Sequence, residues 1–302
     1  MNKLTKQEFA LIYVFVLLGV LSALFLKNLA KEIKIAQKET EIKAERYNLY
    51  FRDINFIADS AYVFDFTKGE AIFSKNQDKV LPVASLTKIM TARTFRDSFK
   101  RLDSVVINED SLKQYGDEGL YAGEKWDVDN LIGLMLSASS NDAAQALYEY
   151  SKKAGLDLVG EMNAKAKRLG YSNTHFYSPS GLDAKDGTPT SFSTCVDVTR
   201  MLEDTYNLYP HFFDDTTKLQ TVLYSIDGNR KEVKNTNVII DEIPGILASK
   251  TGFTESAGGA LVILFKAVNG DTISVCVLGS TKNARFNDML MIVESTDKYL
   301  QQ

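Results

Sequence analysis

Histidine and cysteine are scarce in this chain, with two of each among 302 residues: His175, His211, Cys195 and Cys276. Two imidazoles cannot assemble the multi-histidine ligand set of a zinc hydrolase, and neither H-E-x-x-H nor C-x-x-C occurs, so no catalytic metal and no cofactor is expected. A Ser-His-Asp hydrolase would need one of those histidines and usually a G-x-S-x-G turn, which is missing. G-x-x-x-x-G-K-[ST] is missing too, which leaves no phosphate cradle. The two cysteines are too few for a disulfide framework. Cys276 lies in the strand-like run TISVCVLGS and reads as a small buried hydrophobe, although a location outside the cytoplasm would permit a bridge. Basic excess is also lacking: 35 Lys and Arg stand against 39 Asp and Glu, for a net charge of -4. No Lys/Arg stripe is interleaved with aromatics, so nucleic acid is not an expected partner.

What is present is an ordinary globular composition, 45% hydrophobic and 25% charged, with one long apolar run. From Phe9 to Leu26 the chain carries no charge, and as a helix this run is about 27 Å long, close to the hydrocarbon thickness of a bilayer. Lys27, Asn28 and Leu29 follow where a signal peptide would carry a small-residue cleavage site, so an uncleaved membrane anchor is expected. Lys3 and Lys6 precede the run whereas Lys27, Lys31, Lys34 and Lys38 follow it. That count opposes an extracytoplasmic domain, but the charge rule weakens for long translocated domains. Residues 27–56 are charged and rich in helix formers and read as a helical stalk. Leu29, Ile33 and Ala36 begin a coiled-coil seam that lapses at Thr40. The expected organisation is a tail at 1–8, an anchor at 9–26, the stalk at 27–56 and one domain at 57–302.

Strand patterns open and close that domain. SAYVFDF and AIFS flank a turn at Thr67–Glu70, while ALVILFKAV and TISVCVL flank Asn269-Gly270-Asp271, a strong hairpin signal. GILASKTGF precedes them as a third strand. Helical periodicity covers Leu86–Phe95, Val128–Leu136, Asn141–Lys153, Asp157–Leu169 and about Asn283–Leu300. The economical architecture is α+β: one antiparallel sheet of about five strands drawn from both chain ends, with a helical block inserted between them.

Three short stretches carry chemistry. In PVASLTKIMTA, Ser85 stands at an N-cap-like position with Leu86, Ile89 and Met90 on one side, and Lys88 is one turn on, within reach of the serine hydroxyl. Lysine can serve as a base when an apolar or cationic setting disfavours its charged form. In LMLSASSNDAAQAL, Ser139 and Asn141 place a hydroxyl and an amide at a helix junction. In GILASKTGFTESAGG, Lys250-Thr251-Gly252 lies on an edge-like strand, where glycine removes a side chain that would block a ligand lying along it. Each pattern alone is weak, but the ordered set is specific.

With these motifs the chain resembles the penicillin-recognising serine enzymes, and most closely the low-molecular-mass D-alanyl-D-alanine carboxypeptidases, whose S-x-x-K, S-x-N and K-T-G set it carries. Asn173–Gly187 (NTHFYSPSGLDAKDG), Asn235-Thr236-Asn237 and the closing ARFNDML extend the likeness over about Ile57–Gln302. The resemblance implies a β-lactamase/transpeptidase-like fold. It also implies a penicillin-sensitive serine carboxypeptidase that removes the terminal D-Ala of peptidoglycan pentapeptides through an acyl-enzyme. Ser85 is then the nucleophile, Lys88 its base and Ser139 a proton relay. Asn141 binds the peptide, Lys250, Thr251 and Thr254 hold the terminal carboxylate with Gly252 opening the strand, and the N–H groups of Ser85 and Phe253 form the oxyanion hole. The implied partners are a stem peptide ending in D-Ala-D-Ala, β-lactam inhibitors and the membrane. Ser140 stands where the subfamily often has glycine, and Phe253 where histidine is frequent. The alternative is a serine β-lactamase, for which Glu203 and Asn207 match the letters of E-x-x-x-N but sit nearer the third motif than that reading wants. A silent wall-binding protein is disfavoured because every motif is intact.

Overall fold

The computed structural model describes residues 5–114 and 119–301, and contacts divide the chain into two units, Met1–Arg52 and Asp53–Gln302. In the first, α1 (Lys6–Phe51) is one helix of 46 residues, about 69 Å at 1.5 Å per residue. By length and composition its apolar part can cross a membrane. Leu11, Phe15, Leu18 and Leu24 stand exposed along it, and Lys27, Lys31, Lys34 and Lys38 continue the same helix beyond the apolar run.

The second unit is built on five antiparallel strands: β1 (Ser60–Asp65), β2 (Glu70–Lys75), β3 (Ile246–Thr254), β4 (Gly258–Lys266) and β5 (Thr272–Ser280), in spatial order β3-β4-β5-β1-β2. Both expected hairpins form. The Asp65 carboxylate accepts from the N–H groups of Thr67 and Lys68 at the first turn, and Asn269 Oδ1 accepts from the Asp271 N–H at 3.0 Å in the second. β1 pairs with β5 from Ser60 opposite Leu278 to Asp65 opposite Ile273, so one sheet joins both ends of the domain. β4 and β5 are buried at almost every position, which is why their sequences are nearly continuous apolar runs rather than alternating ones. β3 pairs with β4 alone and is an edge strand.

The inserted block contains α2 (Thr87–Ser98), α3 (Val128–Ser137), α4 (Asn141–Lys153), α5 (Leu158–Arg168) and α6 (Cys195–Leu208), and α7 (Ala284–Leu300) closes the chain. Short polar side chains cap their starts, as helix N-termini require: Asp127 at α3, Ser140 at α4, Asp157 at α5 and Thr194 at α6. The expected apolar side of α2, Leu86, Ile89 and Met90, is buried. The start of α2 differs from the N-cap reading. Ser85 sits in a 3-10 turn, Ala84–Leu86, and no side chain caps the helix.

Two carboxylates lock the layers together. Asp97 accepts from Arg93 Nε at 2.8 Å, Lys165 Nζ at 2.6 Å and Tyr209 Oη at 2.6 Å, joining α2 and α5 to the end of α6. Burial alone would raise its pKa, but these hydrogen bonds outweigh burial and hold the carboxyl below its ordinary value. Asp288, on α7, accepts from the N–H groups of Ile57 and Ala58 and from Ser280 Oγ at 3.0, 2.9 and 2.6 Å.

Candidate active site

Lys88 is fully buried on the first turn of α2. Its Nζ donates to Ser85 Oγ at 2.7 Å, Asn141 Oδ1 at 2.8 Å and the Ser180 carbonyl at 3.0 Å. An ammonium has three protons, and these three acceptors compensate a charge that burial would otherwise penalise heavily. Ser85 therefore does not cap α2, because its hydroxyl is the partner of Lys88.

The Ser85 turn is held by a segment that the sequence reading quoted without a role. Ala84 has φ +46 and Gly181 has φ +76, and a Cβ on Gly181 would lie 2.0 Å from the Ala84 carbonyl oxygen. Only glycine fits so close an approach in a left-handed conformation. That approach delivers the Ser180 carbonyl to Lys88 and the Pro179 carbonyl to Thr91 Oγ1, which donates at 2.6 Å. Thr87 Oγ1 in turn donates to the Ala84 carbonyl at 2.7 Å.

Between α3 and α4 the chain reverses through Ser139, at φ +62. Ser140 Oγ accepts from the Ala143 N–H at 3.1 Å, and this cap sets Asn141 as the first residue of α4, with its amide turned onto Lys88. Ser139 is half-buried and is not among the three acceptors of Lys88.

β3 closes the site from the sheet side. A Cβ on Gly252 would lie 2.8 Å from the Val83 carbonyl oxygen and 3.3 Å from the Ser85 backbone nitrogen, so the absent side chain lets the strand pass beside the Ser85 N–H. Thr251 Oγ1 lies 2.6 Å from Thr236 Oγ1, and the Thr236 N–H donates to the Ser137 carbonyl at 3.0 Å. Thr236, in the Asn235-Thr236-Asn237 stretch, thus ties the strand to the end of α3. Lys250 is buried, with Nζ 2.9 Å from the Thr251 carbonyl. Strand alternation places Thr251 and Phe253 on one face and Gly252 and Thr254 on the other. Thr254 Oγ1 accepts from the Ala257 N–H at 3.1 Å, within the β3–β4 turn, and Ser256 Oγ in that turn donates to Asp183 Oδ1 at 2.7 Å.

Two cations reach β3 from the corner between β5 and α7. Lys282 Nζ sits 5.3 Å from the centre of the Phe253 ring. Arg285 Nη1 donates to the Gly252 carbonyl at 2.7 Å, and burial pushes the guanidinium down to about 10. The sequence reading assigned Arg285 no role. Its one signal was an arginine among the apolar positions of the last helix.

The motif residues thus meet in two sets, Ser85, Lys88 and Asn141 by direct hydrogen bonds and Gly252 by backbone approach. Glu203 is not part of either. It lies on α6, hydrogen-bonded to Asn207 one turn on, and burial pushes its carboxyl up. The neighbouring Asp204 carbonyl meets α2 at Arg93, about 7.5 Å of helix rise beyond Lys88.

Comparison with known proteins places the sequence and the fold. A family model described as D-alanyl-D-alanine carboxypeptidase, peptidase family S11, matches residues 44–281. The chain is 34% identical over 224 residues to a D-alanyl-D-alanine endopeptidase of Pseudomonas aeruginosa, covering 72% of this chain and 70% of that protein. It is 29% identical to the D-alanyl-D-alanine carboxypeptidase DacF of Bacillus subtilis, over 77% of this chain but only 61% of DacF. Among solved structures it is similar to penicillin-binding protein D2 of Listeria monocytogenes in its ampicillin-bound form, with TM-score 0.66 and 29% identity, covering 80% of this chain and 98% of that one. In sequence and in fold the chain belongs to the D-alanyl-D-alanine carboxypeptidase family of serine peptidases.

Proposed function

We propose that the chain is a membrane-anchored carboxypeptidase that releases the terminal D-Ala of peptidoglycan pentapeptides, with Ser85 as nucleophile and Lys88 as its base. The observation that carries this reading is the contact of Lys88 Nζ with Ser85 Oγ at 2.7 Å and Asn141 Oδ1 at 2.8 Å. In its amine form Lys88 accepts the Ser85 proton across that contact, and Oγ attacks the carbonyl of the penultimate D-Ala. The developing oxyanion faces the N–H groups of Ser85 and Phe253. The proton returns through Ser139 to the leaving amine, the carbon–nitrogen bond breaks, and free D-Ala departs. Water then cleaves the ester by the same proton path in reverse. Lys250, Thr251 and Thr254 hold the terminal carboxylate along the β3 edge.

The domain at 57–302 works outside the cytoplasm, anchored through Phe9–Leu26. Support comes from the length of the apolar run in α1 and from a substrate that lies in the cell wall; the lysines after the run argue the other way. Penicillin acylates Ser85 as a substrate mimic. The test sets penicillin hydrolysed per enzyme over an hour beside D-Ala released from a pentapeptide by the same preparation, with a cross-linked dimer peptide run alongside because one relative is an endopeptidase. Slow or stoichiometric penicillin consumption with sustained D-Ala release supports the reading. Rapid multiple turnover of penicillin overturns it in favour of a β-lactamase.

A further inference from the structure

Cys195 and Cys276 are far apart in sequence, yet both are fully buried and they meet. Cys195 opens α6, and its Sγ lies 3.6 Å from the Cys276 carbonyl oxygen on β5. Burial, with the Cys195 thiol as hydrogen-bonding neighbour, pushes the Cys276 thiol up. α6 belongs to the helical block and β5 to the centre of the sheet, so the two free cysteines meet across the seam between those layers. The same seam holds the active site, where Lys88 and Asn141 come from the helices and Gly252 from the strand.

We infer that Cys195 and Cys276 are a modification site, joined as a cystine when the chain folds in an oxidising compartment. The inference rests on the reading that places the domain outside the cytoplasm. The chemistry is thiol–disulfide exchange with a small or protein disulfide donor. One cysteine thiolate attacks a sulfur of the donor disulfide and expels the first donor thiolate, forming a mixed disulfide. The second cysteine thiolate then attacks the protein sulfur of that mixed disulfide and expels the other donor half. Two cysteine thiols are oxidised to one disulfide and the donor disulfide is reduced to two thiols, which take up the two protons the cysteines give, so no net proton is released. Both sulfurs are fully enclosed in the folded domain, so the exchange takes place before α6 closes over β5, and the finished bond is then shielded from reductants. Its effect is structural: the long loop from Cys195 to Cys276, which contains α6, Thr236 and β3, is closed covalently, and the two walls of the site cannot part.

The test uses the full chain purified in detergent. After refolding with oxidised glutathione, the protein is unfolded in guanidinium with an alkylating reagent and without reductant, then digested. The expected result is no alkylation at either cysteine and one cross-linked peptide pair containing Cys195 and Cys276. Reductant added during refolding should lower Tm by about 10 °C and should leave Tm of a Cys276→Ala chain unmoved. Two alkylated cysteines, glutathione retained on one of them, or a cystine between two chains would each overturn the proposal. Should the Cys276→Ala chain fail to fold, the alkylation pattern of the parent decides alone. Alkylation in intact cells separates the two readings: a bond formed in the purified chain but absent in cells upholds the pairing and counts against the extracytoplasmic placement.

Discussion

Arg285→Met removes a charged donor from the Gly252 carbonyl while keeping bulk and burial nearly constant. Arg285 is 6% exposed, its Nη1 lies 2.7 Å from that oxygen, and with a pKa lowered to about 10 it is still protonated at neutral pH. A hydrogen bond to a charged group contributes about 1.5–3 kcal/mol. For stability, two effects oppose each other. The bond is lost, but a buried guanidinium whose Nε has no hydrogen-bond partner among the described residues is also removed, and that relief is of similar size. Tm should therefore move by no more than about 3 °C. Rate has no such compensation, because the Gly252–Phe253 peptide carries an N–H assigned to the oxyanion, and a freed carbonyl lets that peptide tilt. At about 1.4 kcal/mol per tenfold, kcat/KM for D-Ala release should fall about 10- to 100-fold, with penicillin acylation slowing in parallel. Initial rates on a pentapeptide, labelling by a fluorescent penicillin and a calorimetric scan on the same preparation decide the matter. A kcat/KM within twofold of the parent would refute the reasoning, and so would a Tm loss beyond about 10 °C, which would make Arg285 a support of the fold rather than of the strand.

Ser85→Ala should leave the fold intact and abolish covalent labelling by penicillin, and Lys88→Ala should slow acylation by about two to four orders of magnitude; stopped-flow labelling checks both, and a near-normal rate for Lys88→Ala removes lysine as the base. Gly181→Ala should cost at least about 3 kcal/mol, because φ +76 and a Cβ 2.0 Å from the Ala84 oxygen cannot both be relieved locally; an unchanged thermal midpoint would show that the brace gives way freely. Burial, with the Asp97 carboxylate beside it, pushes the Tyr209 phenol up to about 12. The folded pKa is thus above the unfolded one, so the stabilisation is full below about pH 10 and is lost as pH rises toward about 12. Urea midpoints measured across that window should fall for the parent, and Tyr209→Phe should flatten the fall.

The contacts of Ser85, Lys88 and Asn141 were legible because the residues are close in sequence within each motif. One helical turn suffices to set Lys88 on Ser85, and a helix junction suffices to aim Asn141. The hairpins were legible for a similar reason, since Asn269-Gly270 between two apolar runs allows few alternatives. The braces were not legible. Gly181 meets Ala84 across almost a hundred positions, and neither residue signals the contact, because a left-handed glycine in a loop looks like any other turn. Arg285 reaches Gly252 only after β4 and β5 have brought the start of α7 back beside the edge strand. The N-cap-like position of Ser85 becomes a 3-10 turn in the fold, with its hydroxyl taken by the lysine one turn on rather than by the helix N-terminus. The meeting of Cys195 and Cys276 is not legible either, since a spacing of 81 residues says nothing of two side chains brought together between layers.

The order of strands in the sheet also sets a clock. β1 is made early but takes fourth place in the sheet, between β2 and β5, and the N–H groups of Ile57 and Ala58 are satisfied by a carboxylate on α7 that follows about 230 residues later. Until Thr272–Ser280 has emerged, the β1–β2 hairpin has one open side and an apolar face without cover. High-separation pairing of this kind slows folding and leaves edges exposed to aggregation and proteolysis. A chain made from its N-terminus must therefore hold this hairpin uncovered until residues 272–300 follow. Truncations that remove α7 should be degraded rather than accumulate as an inactive domain.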